Sequence, residues 1–496
     1  MKSDPESLKN EEDHAIMICK SAEGGTEDMT LQKGTMKSGS VYAVLLLGMF
    51  TFLFLGTEYM YVNMLSRTVG EEQTVIAQNY ALGVSALGFF LYPPVRRFLK
   101  RGAKIGLPVL LALVAVGCNF FIQRQGSYKS TLLSGLTLFL VLGFLGSMVH
   151  YLFFKLVADW AYLARLVGLA YGLGILLQFL NNNLTSLQTH EVRVLSAAML
   201  GLVAMLPKAE KLTDAAPMEE GSPGKASRRQ VASGVLLALL TVLMACIFST
   251  LDNAVTLRHG TDIDIGQWPR LLLAASGLAA GFLFDIQKRK FMTVMMYCVM
   301  LISVICVVVL KLGGSFLIGL LVFYFSAGFF AVFFTTCFLD FARLMPTPVV
   351  WTGMGRAMNN VSAALLTNGS VALLVSDSSG LVAIVLTLGL FVAVSVVISL
   401  YTAWMTTPPS TPQEPPAAQD PEEAFRLLSD TLDLTPREAE VFDKLVRSEE
   451  SIQEIADGLY LSRRTCQRHI ASIYEKAGVK SRLGLYQIYI EKQHGL

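Results

Sequence analysis

Residues 434–482 read LTPREAEVFDKLVRSEESIQEIADGLYLSRRTCQRHIASIYEKAGVKSR. Helix-start signals recur through this stretch. Thr435 is an N-cap residue, Pro436 suits the first helical position and Glu438 completes a capping box. Ser451 and Glu454 repeat the box, Ser462 can cap a third helix that Gly478 closes, and Ser481 can cap a fourth. Apolar Val441, Leu445, Ile455, Ala456, Leu459, Leu461, Ile470, Ile473 and Tyr474 recur at helical spacing and would form a small core. The third helix carries Arg463, Arg464, Gln467, Arg468, His469 and Lys476. Long donors near the start of a groove-entering helix reach base edges, while flanking Arg and Lys neutralise phosphates. Arg468 suits guanine and Gln467 suits adenine. The plain alternative is a solvated helical domain that docks on protein, because from Arg426 onward acids and bases balance at eleven each. The bases nevertheless concentrate at Arg463–Arg468 and Lys476–Arg482, which favours DNA.

Residues 434–482 resemble the C-terminal DNA-binding domain of LuxR/FixJ-type regulators, a four-helix module. The resemblance rests on LTPREAEV, EIADGLYLSRRT, IYEKAGV and KSR in fixed register, with His469 two residues after Gln467. It implies that Gln467, Arg468 and Ala471 read bases. It places Arg463, Arg464, Thr465, His469, Lys476 and Arg482 at or near phosphates. It also implies homodimer formation through the last helix, at Leu485, Ile488 and Tyr489. The segment Glu449-Glu450-Ser451-Ile452 departs from the family's usual Gly and Asn, Cys466 replaces a usual Val, and Gln467 replaces a frequent Lys. These departures bear on which DNA sequence is preferred.

The rest of the chain has a different composition. Overall, 53% of residues are hydrophobic and 16% charged, unlike a soluble domain. Twelve apolar stretches of about 20 residues, each long enough to span a bilayer, lie between 41 and 404. The sixth, 190–206, is the weakest because Glu191 and Arg193 sit at its start. The loops assigned to the cytoplasm carry fifteen Lys and Arg residues against seven on the other side, with Arg270 among the seven. That bias places both termini inside, on the side where DNA lies.

The spans divide into two sixes. Gly281-Phe-Leu-Phe-Asp285 followed by Lys288-Arg289-Lys290 echoes Gly88-Phe-Phe-Leu-Tyr92 followed by Arg96-Arg97, and Glu58 echoes Asp252 at nearly the same separation. Two related halves are typical of transporters. The Gly281–Lys290 segment resembles the Gly-x-x-x-Asp-x-x-x-Arg-Lys loop of the major facilitator superfamily. In the first copy Tyr92 replaces the Asp and Pro93-Pro94 interrupts the pattern.

The expected fold is all-α: a polytopic membrane helix bundle of six plus six spans, followed by a four-helix helix-turn-helix domain. The expected organisation is a disordered cytoplasmic leader (1–40), half one (41–206), a cytoplasmic loop (207–230), half two (231–404), a Pro-rich linker (405–425) and the DNA-binding domain (426–496). At about 3.1 Å per residue, an extended linker would reach roughly 50 Å.

Charges inside spans usually mark function or a buried pair. Glu58, Asp252, Arg356, Asn359 and Asn360 are candidates for a ligand cavity. Lys155, Asp159 and Arg165 are read as structural, with Lys155 and Asp159 paired at i, i+4. The seven cysteines are scattered, and no metal, cofactor or enzyme motif is recognised.

The expected function is a one-component transcription regulator in the inner membrane of a bacterial cell. It would sense a small-molecule ligand in the lipid bilayer and bind double-stranded DNA. The alternative is a solute transporter with a regulatory tail.

Overall fold

The computed structural model describes residues 38–98, 103–124, 126–184, 188–215, 226–256, 267–375, 380–406, 421–479 and 481–493. The chain separates into two compact units, Met1–Met405 and Thr406–Leu496. Two expected segments fall mainly outside the described residues: nearly all of the leader, and the part of the Pro-rich linker from 407 to 420.

The larger unit is built from α1 (Ser38–Leu65), α2 (Glu71–Phe98), α3 (Ala103–Gln123), α4 (Tyr128–Leu156), α5 (Leu163–Leu184) and α6 (Gln188–Ala215), followed by α7 (Arg228–Thr256), α8 (Trp268–Phe284), α9 (Met292–Lys311), α10 (Phe316–Ala342), the single turn α11 (Pro348–Trp351), α12 (Met354–Val375) and α13 (Gly380–Thr406). A bilayer interior offers backbone groups no water, so each segment must satisfy its own N–H and C=O groups within a helix. Among the described residues, ten helices are long and apolar enough to cross a membrane, with mean hydropathy from 1.4 to 3.0.

The helix that falls short is α8, not the expected sixth. α8 is apolar but only 17 residues long. α12 carries its polar residues, Arg356, Asn359, Asn360 and Ser362, in its first half. α6 is a 28-residue helix that buries Glu191. With α7 starting at Arg228, α6 also takes in the first part of the expected loop 207–230.

The halves meet where α2 packs on α12 and α5 packs on α8. Small residues make these approaches possible. A Cβ on Gly83 would lie 2.4 Å from the Ala364 Cβ, and one on Gly281 would lie 2.7 Å from the Ala164 carbonyl oxygen. Within half one, α2 crosses α4 so closely that a Cβ on Gly143 would sit 1.9 Å from the Ser85 carbonyl oxygen. Backbone cannot yield to such overlap. Gly143→Val is therefore expected to cost at least the 1–3 kcal/mol typical of overpacking, about that much or more, and to reduce the folded fraction on size exclusion in detergent.

The smaller unit contains α14 (Pro421–Thr431), α15 (Pro436–Arg447), α16 (Ile452–Gly458), α17 (Arg463–Ala477) and α18 (Arg482–Gln493). Both capping boxes form, at Thr435/Glu438 and Ser451/Glu454. Ser462 caps α17, Gly478 closes it at φ 66°, and the Ser481 hydroxyl accepts from the Gly484 N–H at 3.2 Å. α14 is an addition to the four expected helices, and it starts inside the expected linker. Leu428 of α14 enters the core, and the Phe425 ring stacks on Phe442 at 5.4 Å.

Glu438 is the polar centre of this unit. Its carboxylate accepts from Lys476 Nζ at 2.8 Å, from the Ser472 hydroxyl at 2.6 Å and from the Thr435 N–H at 2.9 Å. Desolvation pushes this carboxyl up, but the bonds from Lys476, Ser472 and Thr435 outweigh it and hold the group at about 2. A depressed folded-state value means that its stabilisation is complete above the ordinary carboxylate range, and is lost as pH falls from about 5 towards 2. Urea unfolding of fragment 406–496 should show that loss. Lys476→Met should remove about 1.5–3 kcal/mol at neutral pH and flatten the acid dependence.

Candidate ligand cavity and nucleic-acid interface

The centre of the membrane unit holds a cavity of about 150 Å³, the size of a space that holds one aromatic ring. Glu58, Asp252, Arg356, Asn359 and Asn360 all line it. The five candidates come from three helices, α1, α7 and α12, in both halves. The Glu58 carboxylate accepts from Gln78 Nε2 at 2.7 Å. Asn360 is anchored to the Ser85 hydroxyl at 2.7 Å. Arg356 lies between two rings, 5.5 Å from the centre of Phe54 and 5.2 Å from that of Phe334.

Arg270, Gln78, Tyr171 and Tyr324 complete the polar wall. The sequence had placed Arg270 in an outer loop, but it belongs to the first turn of α8. Pro269 in the first turn of the helix was the available signal, since proline is favoured at helix starts.

One end of the bundle is tied by a charge network. The buried Asp285, which ends α8, accepts from the N–H groups of Ala164 at 3.1 Å and Arg165 at 2.8 Å, at the start of α5. Arg289 donates to Asp285 at 3.1 Å, to Asp340 on α10 at 2.6 Å and to the Trp160 carbonyl at 2.8 Å. Residues 287–289 all have positive φ, and the network holds this strained turn in place. Arg165 and Asp159 are thereby structural: the first sits beside Asp285, and the second caps the turn Trp160–Tyr162 through the Ala161 N–H. The echo in half one is different in kind. Arg96 donates to the Tyr92 hydroxyl at 3.0 Å and stacks over Tyr151 at 4.2 Å.

In the smaller unit, α16 and α17 form the helix-turn-helix. Cys466, Ile470 and Ile473 face the core. Arg463, Arg464, Gln467, Arg468 and Ala471 are exposed on the opposite side, at the i, i+3 and i+4 spacings that make one stripe. His469 flanks the stripe half-buried, and the Thr465 hydroxyl bonds to that of Ser462 at 2.7 Å.

At three sets of expected positions the fold supplies contacts within the unit. Lys476 is spent on Glu438 and on the Asp433 carbonyl at 2.6 Å. Arg482 donates to the carbonyls of Leu445, Glu450 and Ser448, where the end of α15 leaves acceptors unsatisfied. Leu485 and Tyr489 lie in the unit's own core with Ile488 packed against it, because α18 turns that face onto α14 and α15. The apolar residues that α18 exposes are Leu483, at 68%, and Tyr486, at 44%.

Residues 432–489 match the family described as bacterial regulatory proteins, luxR family. The C-terminal unit is a luxR-family helix-turn-helix domain. A stretch of 49 residues is 45% identical to spore germination protein GerE of Bacillus subtilis (strain 168), covering 10% of this chain and 65% of that protein, so it spans less than two thirds of that relative. The helix bundle is similar to the human organic anion transporter MFSD10 (TETRAN), with a TM-score of 0.53 and 14% identity over 73% of this chain and 99% of that one. It is also similar to an auto-inhibited POT family peptide transporter, with a TM-score of 0.51 and 10% identity over 74% and 96%. These likenesses are of fold. The protein thus joins a luxR-type helix-turn-helix domain to a bundle of membrane-length apolar helices folded like these transporters.

Removing Asp285 would leave two helix-start amides and Arg289 short of their common acceptor. Asp285→Ala is expected to cost about 3–5 kcal/mol, as breaking a buried pair does, seen as earlier thermal unfolding of the detergent-solubilised protein. Adding Arg289→Ala should cost less than the sum of the two, because they share one network.

Proposed function

We propose that the protein is a membrane-bound one-component transcription regulator. It binds a small molecule in the bundle cavity and promoter DNA through α17. The observation that carries this reading is the pairing, in one chain, of a luxR-type domain whose basic stripe is uncommitted and a transporter-type bundle whose cavity is lined by charge. Among the described residues, Arg463, Arg464 and Arg468 make no hydrogen bond or ion pair within the unit, so their donors are available to phosphates and base edges. Gln467, Arg468 and Ala471 would face bases. Arg463 and Arg464 would face the backbone, with Thr465 and His469 beside them.

The loop-charge bias supports an inner-membrane protein with both termini in the cytoplasm. A homodimer through the exposed Leu483 and Tyr486 of α18 would place two reading helices on one site. Two linked units would also gain affinity through effective concentration. Ligand binding would act by shifting the bundle between states that present or withhold the C-terminal unit.

Gel-shift titration of fragment 406–496 tests the DNA half. Arg468→Ala should cost about 1–3 kcal/mol on the preferred sequence and relax the preference, while Arg463→Ala should weaken all sequences alike and reduce the salt slope by about 1. Leu483→Glu should abolish pairing on sedimentation and leave the core intact. Transcript profiling with the full chain, across small molecules, tests sensing. A chain that binds no DNA would overturn the proposal.

The interlocked halves and central cavity also fit a transporter with a regulatory tail. Accumulation of a labelled solute in vesicles, abolished by Glu58→Gln and Asp252→Asn, would favour that function.

A further inference from the structure

We infer that the cavity takes a small ampholyte: one planar anionic group, one ammonium group and an apolar or aromatic body. This rests on the reading of the cavity as a ligand site, and adds the ligand's chemical class.

The two carboxylates, Glu58 and Asp252, and the two guanidinium groups, Arg270 and Arg356, line one space. Among the described residues, no ion pair or hydrogen bond joins either arginine to either carboxylate. The wall therefore carries two separated pairs of opposite charge in a bilayer interior. Charges in such a place are retained where something pairs them.

The orientation of the ligand follows from the arginines. The Phe54 and Phe334 rings flank Arg356, which leaves the edge of its guanidinium to make hydrogen bonds. Among the described residues its Nε is buried without a hydrogen-bond partner, and so is that of Arg270. A buried donor edge without a partner is a costly arrangement, and a carboxylate accepting through both oxygens relieves it. On the acidic side, Glu58 is already held by Gln78, while Asp252 makes no hydrogen bond to a described residue. Asp252 is thus the free acceptor for an ammonium group. Phe248, Phe323 and Phe330 add apolar wall to the same cavity. A ligand of one charge would match one sign of charge on the wall and leave the other without a partner.

The test uses the full chain in lipid nanodiscs and isothermal titration. The probes are an ampholyte series (glycine, leucine, phenylalanine, tryptophan) with the singly charged 3-phenylpropanoate and 2-phenylethylamine. At least one ampholyte should bind. Phenylalanine should bind ten-fold or more tightly than either singly charged analogue. Arg356→Gln should erase its advantage over 2-phenylethylamine, and Asp252→Asn its advantage over 3-phenylpropanoate. Arg356→Lys should restore part of the first, and all variants are first checked for a monodisperse profile. A singly charged probe that binds as tightly as phenylalanine, variants that weaken all probes equally, or no binding by any ampholyte would overturn the inference. Ala327→Phe, which fills the cavity, separates the two levels. Binding that survives it overturns the cavity as the site, whichever probe binds.

Discussion

A bilayer interior gives no water to a charge, and the organisation of the membrane unit follows from that constraint. Hydrocarbon forces each segment into a helix that satisfies its own backbone. It then leaves two kinds of place for an ionised side chain. One is the end of the bundle, where Asp285 collects the first amides of α5 and the guanidinium of Arg289, which in turn reaches Asp340. The other is the central cavity, where Glu58, Asp252, Arg270 and Arg356 face shared space and not lipid. The first joins the halves. The second is lined from both halves.

The two halves carry the same plan with different chemistry. After α8 an acid anchors the turn. Near the end of α2 the equivalent place holds Tyr92, whose hydroxyl accepts from Arg96 while its ring meets Phe144 edge-on at 5.4 Å. A phenol is a neutral acceptor, so this side forms a cation–π and hydrogen-bonded pair where the other has a charged network. The two echoed segments are alike in sequence and differ in how they are tied.

The luxR-type domain was largely legible in the chain, and the reason is local. Capping boxes, a closing Gly478 and apolar residues at helical spacing act within four residues of one another, so they can be recognised without a fold. The five cavity candidates were legible because a charge or amide in an apolar run has few places to go. Arg270 was not, because a charge at the very start of a span was counted with the loop charges, and only the fold shows it lining the cavity. α14 was hidden by the prolines around it, which mask Phe425 and Leu428 as core residues.

By itself, the sequence determined the elements: which stretches are helical, which side of α17 is basic, and that two sixes of apolar helices precede a DNA-binding domain. These follow from composition and spacing, which act along the chain. Tertiary structure alone decided the assignments of Lys476, Arg482, Leu485 and Tyr489, all of which suited a surface role by position. Glu438, the carbonyls at the end of α15 and the face of α14 lie 25 or more residues away from at least one of them in sequence, and only folding brings them within reach. Once there, a buried carboxylate, unsatisfied helix-end acceptors and an open apolar face claim those side chains, because leaving such groups unmatched would cost more than any exposed contact returns.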